Sequence, residues 1–164
     1  YEEFGTFEGK KLVFFGEGFN MANSLMLGCA KVGMDVTICS PKGLGPRSEI
    51  VEAARKSALG GAKVVVTDDI DEAISGANAV YTDVFFSMGQ EKDPAKEAAL
   101  MPMQVNAEMM AKAAPDAIFL HCLPAHRGEE VTDEVMEGAQ SRIFPEAENR
   151  LHAQKAVMYL LMKD

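Results

Sequence analysis

A chain of 164 residues, 48% apolar and 25% charged, is long enough to bury a full core as one domain without disulfides or a structural metal. Its formal charge of −9 offers no basic patch to nucleic acid or an anionic membrane surface, and no apolar run approaches the roughly 20 residues that a bilayer-spanning helix needs. Nucleic acid and membrane are therefore not expected as partners, and a small molecule is the expected ligand.

Tyr1-Glu2-Glu3 is neither a signal nor a transit sequence and has no initiating Met, so the chain reads as a piece of something longer. Gly9-Lys10 and Gly16-Glu17-Gly18 bracket Lys11–Phe15, a buried first strand. Met21, Leu25, Cys29 and Val32 recur at helical spacing over Asn20–Val32, and Gly33 is the stop. Asp35–Cys39 is a second strand, a helix is expected from Arg47 to Leu59 before Gly60-Gly61, and Lys63–Thr67 is a third strand. A short helix over Asp68–Ser75 carries acidic residues in its first turn, where the dipole favours them. Ala79–Thr82 is a fourth strand closed by Asp83.

The stretch from Val84 to Met101, with Ser87-Met88-Gly89, is long for a connection and reads as a binding loop. A helix over Met103–Ala114 leads into the apolar run Ala117–Leu120. That run is too short for a helix and is bounded by Pro115-Asp116 and by His121-Cys122-Leu123-Pro124, which suits a buried parallel strand. A short helix over Glu129–Glu137, a last strand Arg142–Phe144 and a helix over Ala147–Met162 complete the chain. Strands alternating with helices at this rhythm predict a single-domain α/β fold. It is a doubly wound, mainly parallel sheet of the Rossmann-like kind, with helices on both faces and right-handed crossovers.

Cys29, Cys39 and Cys122 are odd in number, widely spaced and without a C-x-x-C pair. Neither a disulfide framework nor a metal site is expected, and a reducing, cytoplasmic setting follows. Gly16-Glu17-Gly18 between a strand and a helix has part of a dinucleotide fingerprint. Met21 stands at its third glycine position, however, and no acid follows the second strand at Cys39-Ser40, so NAD, and with it any cofactor, is not expected. Asn20 opens a helix and can either cap it or face a ligand; composition favours the cap.

Asp83 ends an apolar strand, where an Asx-type turn is the common role. The alternative is a carboxylate that receives a ligand ammonium, with the Ser87–Gly89 loop holding a carboxylate, a spacing that suits the two ends of an amino acid. His121 and Cys122 are neighbours on a strand, so alternation should point them to opposite faces and prevent a shared metal or a nucleophile and base pair. Arg150 lies near the start of the last helix, where the dipole disfavours a cation. It forms either a solvated pair with Glu146 or a clamp for an anion or carbonyl.

Five strings in order, GEGFNMANS from Gly16, KVGMDVTICSPKG from Lys31, YTDVFFSMGQE from Tyr81, HCLPAHRGEEV from His121 and EAENRLHAQKAV from Glu146, resemble the ornithine carbamoyltransferases. The resemblance runs along essentially the whole chain and is to their C-terminal, ornithine-binding domain. It implies that residues 1–164 are that domain and that the N-terminal carbamoyl-phosphate-binding domain is absent. The family's Ser-x-Arg-Thr and His-Pro-x-Gln phosphate segments are found nowhere in the chain, so carbamoyl phosphate has few ligands and the chain alone should be inactive. The substrates implied are L-ornithine and carbamoyl phosphate, the products citrulline and phosphate as in arginine biosynthesis, and the assembly a homotrimer.

Residue by residue, the resemblance implies that Asn20, Asp83, Ser87 and Met88 bind the amino-acid end of ornithine. Cys122 lies against the amine, while the Leu123 carbonyl and Arg150 hold the carbamoyl group, so that Cys122, Asp83 and Arg150 are the catalytic set. The chain departs from the family at Glu17-Gly18-Phe19-Asn20, usually Asp-Gly-Asn-Asn, and at Phe85, usually Trp. Aspartate-specific relatives lack the cysteine of HCLP and putrescine-specific ones lack the Ser-Met-Gly loop, which points to ornithine. The rivals are an enzyme for another amine, such as putrescine or a modified ornithine, and a non-catalytic amino-acid-binding module. The last helix packs against the missing domain in the family, so part of its apolar side should be exposed here.

Overall fold

A computed structural model describes residues 1–87 and 89–163. Lys11–Phe15 forms β1, followed by α1 (Asn20–Val32), β2 (Asp35–Cys39), α2 (Ser48–Ser57), β3 (Val64–Thr67), α3 (Ile70–Ile74) and β4 (Ala79–Thr82). Then come α4 (Pro94–Leu100), a 3-10 turn at Met101–Met103, α5 (Ala107–Lys112), β5 (Ile118–His121), α6 (Asp133–Met136) and α7 (Ile143–Met162). The strands form one five-stranded sheet in the order β3-β2-β1-β4-β5, and every pairing is parallel.

Because side chains alternate across a strand, β1 serves two cores at once. Val13 and Phe15 pack with Val80, Phe119 and residues of α3, α4, α5 and α6 on one face. Leu12 and Phe14 pack with Val36, Ile38, Tyr81 and residues of α1 and α2 on the other. Burial on both faces explains why these strands read as continuous apolar runs rather than alternating ones.

The register brings the carboxyl ends of the strands into one row. Phe15 stands opposite both Cys39 and Thr82, and Thr82 opposite His121. The loops leaving β1, β4 and β5 therefore start side by side.

The final strand expected at Arg142–Phe144 does not form. Only Ser141 bridges β5, opposite Phe119, with the Phe119 N–H donating to Gln140 O at 2.8 Å and the Arg142 N–H to Phe119 O at 2.9 Å. The helix begins at Ile143 instead, and Pro145 fits within its first turn, where its missing N–H costs nothing. The start is hard to read because Arg142, at the N-cap, makes no side-chain capping bond.

The connection after Asp83 holds α4, opened by Pro94 and capped by Asp93, whose Oδ1 accepts from Ala95 N–H at 2.9 Å. The expected Met103–Ala114 helix is shortened to α5 because Val105 pairs with Val131 and Asn106 caps. That same pairing delays α6 to Asp133. From Leu151 to Lys163, α7 is exposed along its length, Leu161 reaching 80%, in agreement with the exposed apolar side read from the sequence. No described helix is long and apolar enough to cross a membrane.

The loop after β1 is fixed by close backbone approach. Gly18 N–H donates to Leu44 O at 2.7 Å, and a Cβ at Gly18 would fall on the Pro46 nitrogen and the Gly45 carbonyl carbon. A Cβ at Gly28, inside α1, meets nothing within 4 Å. Gly18→Ala should therefore lower the urea midpoint, because backbone must move. Gly28→Ala should raise stability by about 0.5–1 kcal/mol through helix propensity. Equal effects of the two in urea denaturation would contradict this packing.

Candidate active site

In an open parallel sheet, ligands bind in the crevice beyond the carboxyl ends of the strands, where the strand order reverses. Here that point lies between β1 and β4. The buried Thr82 hydroxyl donates to the Phe15 carbonyl at 2.8 Å and ties the two strand ends together. Asn20 follows β1, Asp83 follows β4 and Cys122 follows β5.

Asp83 is half-buried. Its Oδ1 accepts from Val84 N–H at 2.8 Å and from the Cys122 thiol at 3.2 Å. The local turn expected of an aspartate at a strand end is thus present, and the same oxygen also faces the neighbouring strand's cysteine. Burial pushes the Cys122 thiol up to about 12, helped by the hydrogen bond to Asp83 and by the charges of Asp83 and Glu146. Cys122 is therefore a protonated donor, not a resting thiolate. Cys29 and Cys39 are buried apart from it in the core.

Alternation fails to keep His121 and Cys122 apart. A ring nitrogen of His121, the Cys122 sulfur and a carboxylate oxygen of Asp83 lie within 4.8 Å of one another. The strand rule stops applying because β5 ends at His121 and the chain turns at once, through Leu123 with φ 57° and a cis Leu123-Pro124 bond. What prevents a nucleophile and base pair is occupancy. His121 Nδ1 accepts from Leu123 N–H at 2.9 Å, which places the ring proton on Nε2, 3.3 Å from Glu130 Oε1.

Glu130 was not singled out by the sequence. It is fully buried, as is His121, and Glu130 Oε1 also accepts from His126 N–H at 2.5 Å. One buried carboxylate thus faces both ends of the turn that carries Cys122 and Leu123. Burial alone would raise the Glu130 pKa, yet His121 and the His126 N–H together outweigh it and hold the carboxyl below its usual value. It falls at the start of the helix expected over Glu129–Glu137, and no spacing marks it as buried.

Glu146, in the first turn of α7, accepts from Tyr81 OH at 2.5 Å and from His121 N–H at 3.0 Å. Burial raises its pKa against the pull of these donors. With both oxygens engaged, it does not form the solvated pair with Arg150. Arg150 Nη1 instead reaches the Cys122 carbonyl at 3.5 Å, beside the Leu123 peptide, and its side chain is exposed. Among the described residues, Asp83, His121 and Cys122, and separately His126, Glu129 and Glu130, are near enough to share a cation. In the first group Nδ1 is already an acceptor, and in the second Glu129 is paired with Lys92 at 2.8 Å.

Asn20 does not cap α1. Phe19 holds the N-cap position, and among the described residues the exposed Asn20 side chain accepts only from its neighbour Met21 N–H, at 2.8 Å. Ser87 is half-buried, its N–H donating to Gln90 Oε1 at 3.2 Å and its carbonyl accepting from Gln90 N–H at 3.0 Å. Met88 lies outside the described residues.

A carboxylate beside a thiol, a guanidinium near a turned peptide and an exposed amide stand together at the switch point of an α/β domain, where folds of this class bind small ligands. Residues 8–161 match the family model described as aspartate/ornithine carbamoyltransferase, Asp/Orn binding domain, and the chain belongs to that family. It is 52% identical over 158 residues to the ornithine carbamoyltransferase of Nostoc punctiforme, covering 96% of this chain and 52% of that protein. It is 49% identical over 160 residues to that of Bacillus subtilis, covering 96% and 50%. Among solved structures, the ornithine carbamoyltransferase from Gloeobacter violaceus superposes with a TM-score of 0.91 at 48% identity, over 99% of this chain and 54% of that one. The enzyme from Pyrococcus furiosus gives 0.92 at 43% identity, over 97% and 51%. The chain spans about half the length of the curated relatives it matches.

Two measurements check this geometry. Asp83→Asn removes the charge and weakens the bond that hold the Cys122 proton, so alkylation of Cys122, followed by peptide mass spectrometry, should set in at lower pH than in the wild type; an unshifted profile would separate the two groups. Glu130→Gln should cost stability, ~1–3 kcal/mol, because the His126 N–H loses a charged acceptor and the His121 ring loses the carboxylate charge 3.3 Å away. A depressed folded-state pKa contributes stability above the ordinary glutamate value of 4.5 that is lost as pH falls through the folded value. The wild-type advantage in urea titrations should therefore be full at neutral pH and shrink on acidification below 4.5, and an advantage that persists in acid would contradict the pairing.

Proposed function

We propose that this chain is the L-ornithine-binding half of an ornithine carbamoyltransferase, the enzyme that makes citrulline and phosphate from L-ornithine and carbamoyl phosphate. The observation that carries this reading is the 3.2 Å contact of the Cys122 thiol with Asp83 at the switch point, with Arg150 reaching the adjoining peptide. Asp83 supplies the negative charge that receives an ornithine ammonium, and Cys122 lies against the amine. Asn20, Ser87 and Met88 complete the hold on the amino-acid end. Forming citrulline is the direction of arginine biosynthesis; the same groups serve the reverse, and a Thermoplasma volcanium relative bears the name catabolic.

The δ-amine has a lysine-like pKa near ~10, so it must lose a proton before its lone pair attacks the carbamoyl carbon. The N–C bond forms, the C–O bond to phosphate breaks, and phosphate leaves with the electron pair and takes up the proton that the attacking nitrogen sheds. The Leu123 carbonyl can accept from the carbamoyl NH2 while the Arg150 guanidinium donates to its oxygen, where charge grows in the transition state. A thiol pushed up to about 12 is a poor acceptor for the amine proton at neutral pH, which favours the carboxylate as the charge that steers it.

Phosphate recognition is assigned to an N-terminal carbamoyl-phosphate domain. The exposed Val157, Leu160 and Leu161 of α7 support such a domain as their cover. A homotrimer of the two-domain protein and a cytoplasmic location complete the proposal, and the chain alone is expected to bind but not to turn over.

Calorimetric titration of this chain with L-ornithine, putrescine and NAD tests the ligand. Ornithine should bind in preference to putrescine, with no heat from NAD. Asp83→Ala should weaken ornithine binding roughly 10–100-fold, the range for losing a hydrogen bond to a charged group. In a two-domain enzyme the same change should leave carbamoyl phosphate binding nearly intact; equal losses would make Asp83 structural. Preference for putrescine would move the assignment to another amine, and ornithine binding without any turnover in the two-domain protein would leave a binding module.

A further inference from the structure

We infer that Lys96 is a positioning residue for the amino-acid site, holding the Ser87 segment against the loop that precedes Asn20. The Lys96 ammonium lies 2.7 Å from Glu17 Oε2 and 3.3 Å from Gln90 Oε1, and 5.2 Å from the centre of the Phe86 ring. Its side chain is only 15% exposed and that of Glu17 26%. Lys92–Glu129 and Lys42–Asp68 have far more exposed lysines, and in Lys10–Asp116 it is the carboxylate that is exposed; pairs of that kind contribute little.

The geometry makes Lys96 a junction. Gln90 Oε1 takes both the Lys96 ammonium and the Ser87 N–H, so the cation fixes which way the Gln90 amide faces and therefore whether Ser87 has an acceptor. On the other side, Glu17 is a rigid post. It stands between Gly16, whose N–H donates to Cys39 O at 3.1 Å, and Gly18, whose N–H donates to Leu44 O at 2.7 Å. Lys96 itself is set by α4, whose Leu100 is fully buried, and by the Phe86 ring, which is part of the core. Cation, carboxylate and amide thus join the loop after β4 to the loop after β1 across the crevice. The hydrogen bonds of Lys96 go to Glu17 and Gln90, not to Asp83 or Cys122, and it acts through Ser87.

This inference rests on the reading of Ser87 as a contact of the amino-acid ligand, so the test includes a readout that needs no ligand. Amide hydrogen exchange at Ser87, followed by NMR, and calorimetric ornithine binding are measured on the whole chain for the wild type, Lys96→Met, Lys96→Arg, Glu17→Gln and the Lys96→Met/Glu17→Gln pair. Lys96→Met should speed Ser87 exchange about tenfold and weaken ornithine binding about tenfold. Lys96→Arg should restore most of both, and the double variant should be no worse than either single, as expected of one shared contact. Glu17→Gln probes the same contact should Lys96→Met fail to fold. Unchanged Ser87 exchange in Lys96→Met and Glu17→Gln would overturn the inference, as would faster exchange with undiminished ornithine binding. Absence of ornithine binding in the wild type would strike the ligand reading instead, with the exchange data still deciding whether Lys96 holds Ser87.

Discussion

Everything in this site depends on the lateral alignment of three strand ends. Phe15, Thr82 and His121 share one row of the sheet, and the buried Thr82 hydroxyl bonds the Phe15 carbonyl across it. A parallel ladder allows no slip here, since a shift of one residue would exchange the two cores that β1 serves. With the row fixed, Asp83 and Cys122 leave neighbouring strands at the same height, and a carboxylate meets a thiol without any loop having to search for the geometry.

The turn after β5 is the second requirement. Leu123 sits at φ 57°, a conformation that costs a non-glycine residue of order 1 kcal/mol or more, and it is held there by backbone bonds to two buried polar groups. His121 receives the Leu123 N–H, Glu130 receives the His126 N–H, and the two side chains face each other at 3.3 Å. A fully buried carboxylate is costly unless it is paired and hydrogen-bonded. Here it holds the part of the chain that brings the Cys122 peptide within reach of Arg150. The first turn of α7 joins the same structure, because Glu146 bonds both Tyr81 of β4 and the His121 N–H.

Most of the fold was legible because both-face burial leaves an unmistakable mark. Lys11–Phe15, Asp35–Cys39 and Ala79–Thr82 appear with the bounds read from their apolar runs, and Asp83 and Cys122 fall where such runs end. Short apolar segments were less secure. Arg142–Phe144 has strand-like composition yet leads into a helix, a start that no capping side chain announces and that Pro145, within the first turn, tolerates. Alternation misjudged His121 and Cys122 for a related reason, since it holds inside a strand and not across its end. Glu130, Lys96 and Glu17 lie beyond pattern reading altogether. Each is a charged residue whose burial is created by segments far away in the chain, as with Glu17 and Lys96, or by a tight turn that no periodicity encodes. The five family-like strings contain the candidate site residues, while the contacts that hold those residues in place came only from the fold.

The chain belongs to the family and spans about half the length of the curated relatives it matches; the division of labour we propose has the amine held by this chain and phosphate by another domain. The most direct measurement is citrulline formation from L-ornithine and carbamoyl phosphate by this chain alone, by an N-terminal carbamoyl-phosphate domain alone, and by the two joined. Turnover only in the joined protein, abolished by Arg150→Ala, is the expected result. Full turnover by this chain alone, or none in a joined protein whose halves each bind their own substrate, would contradict it.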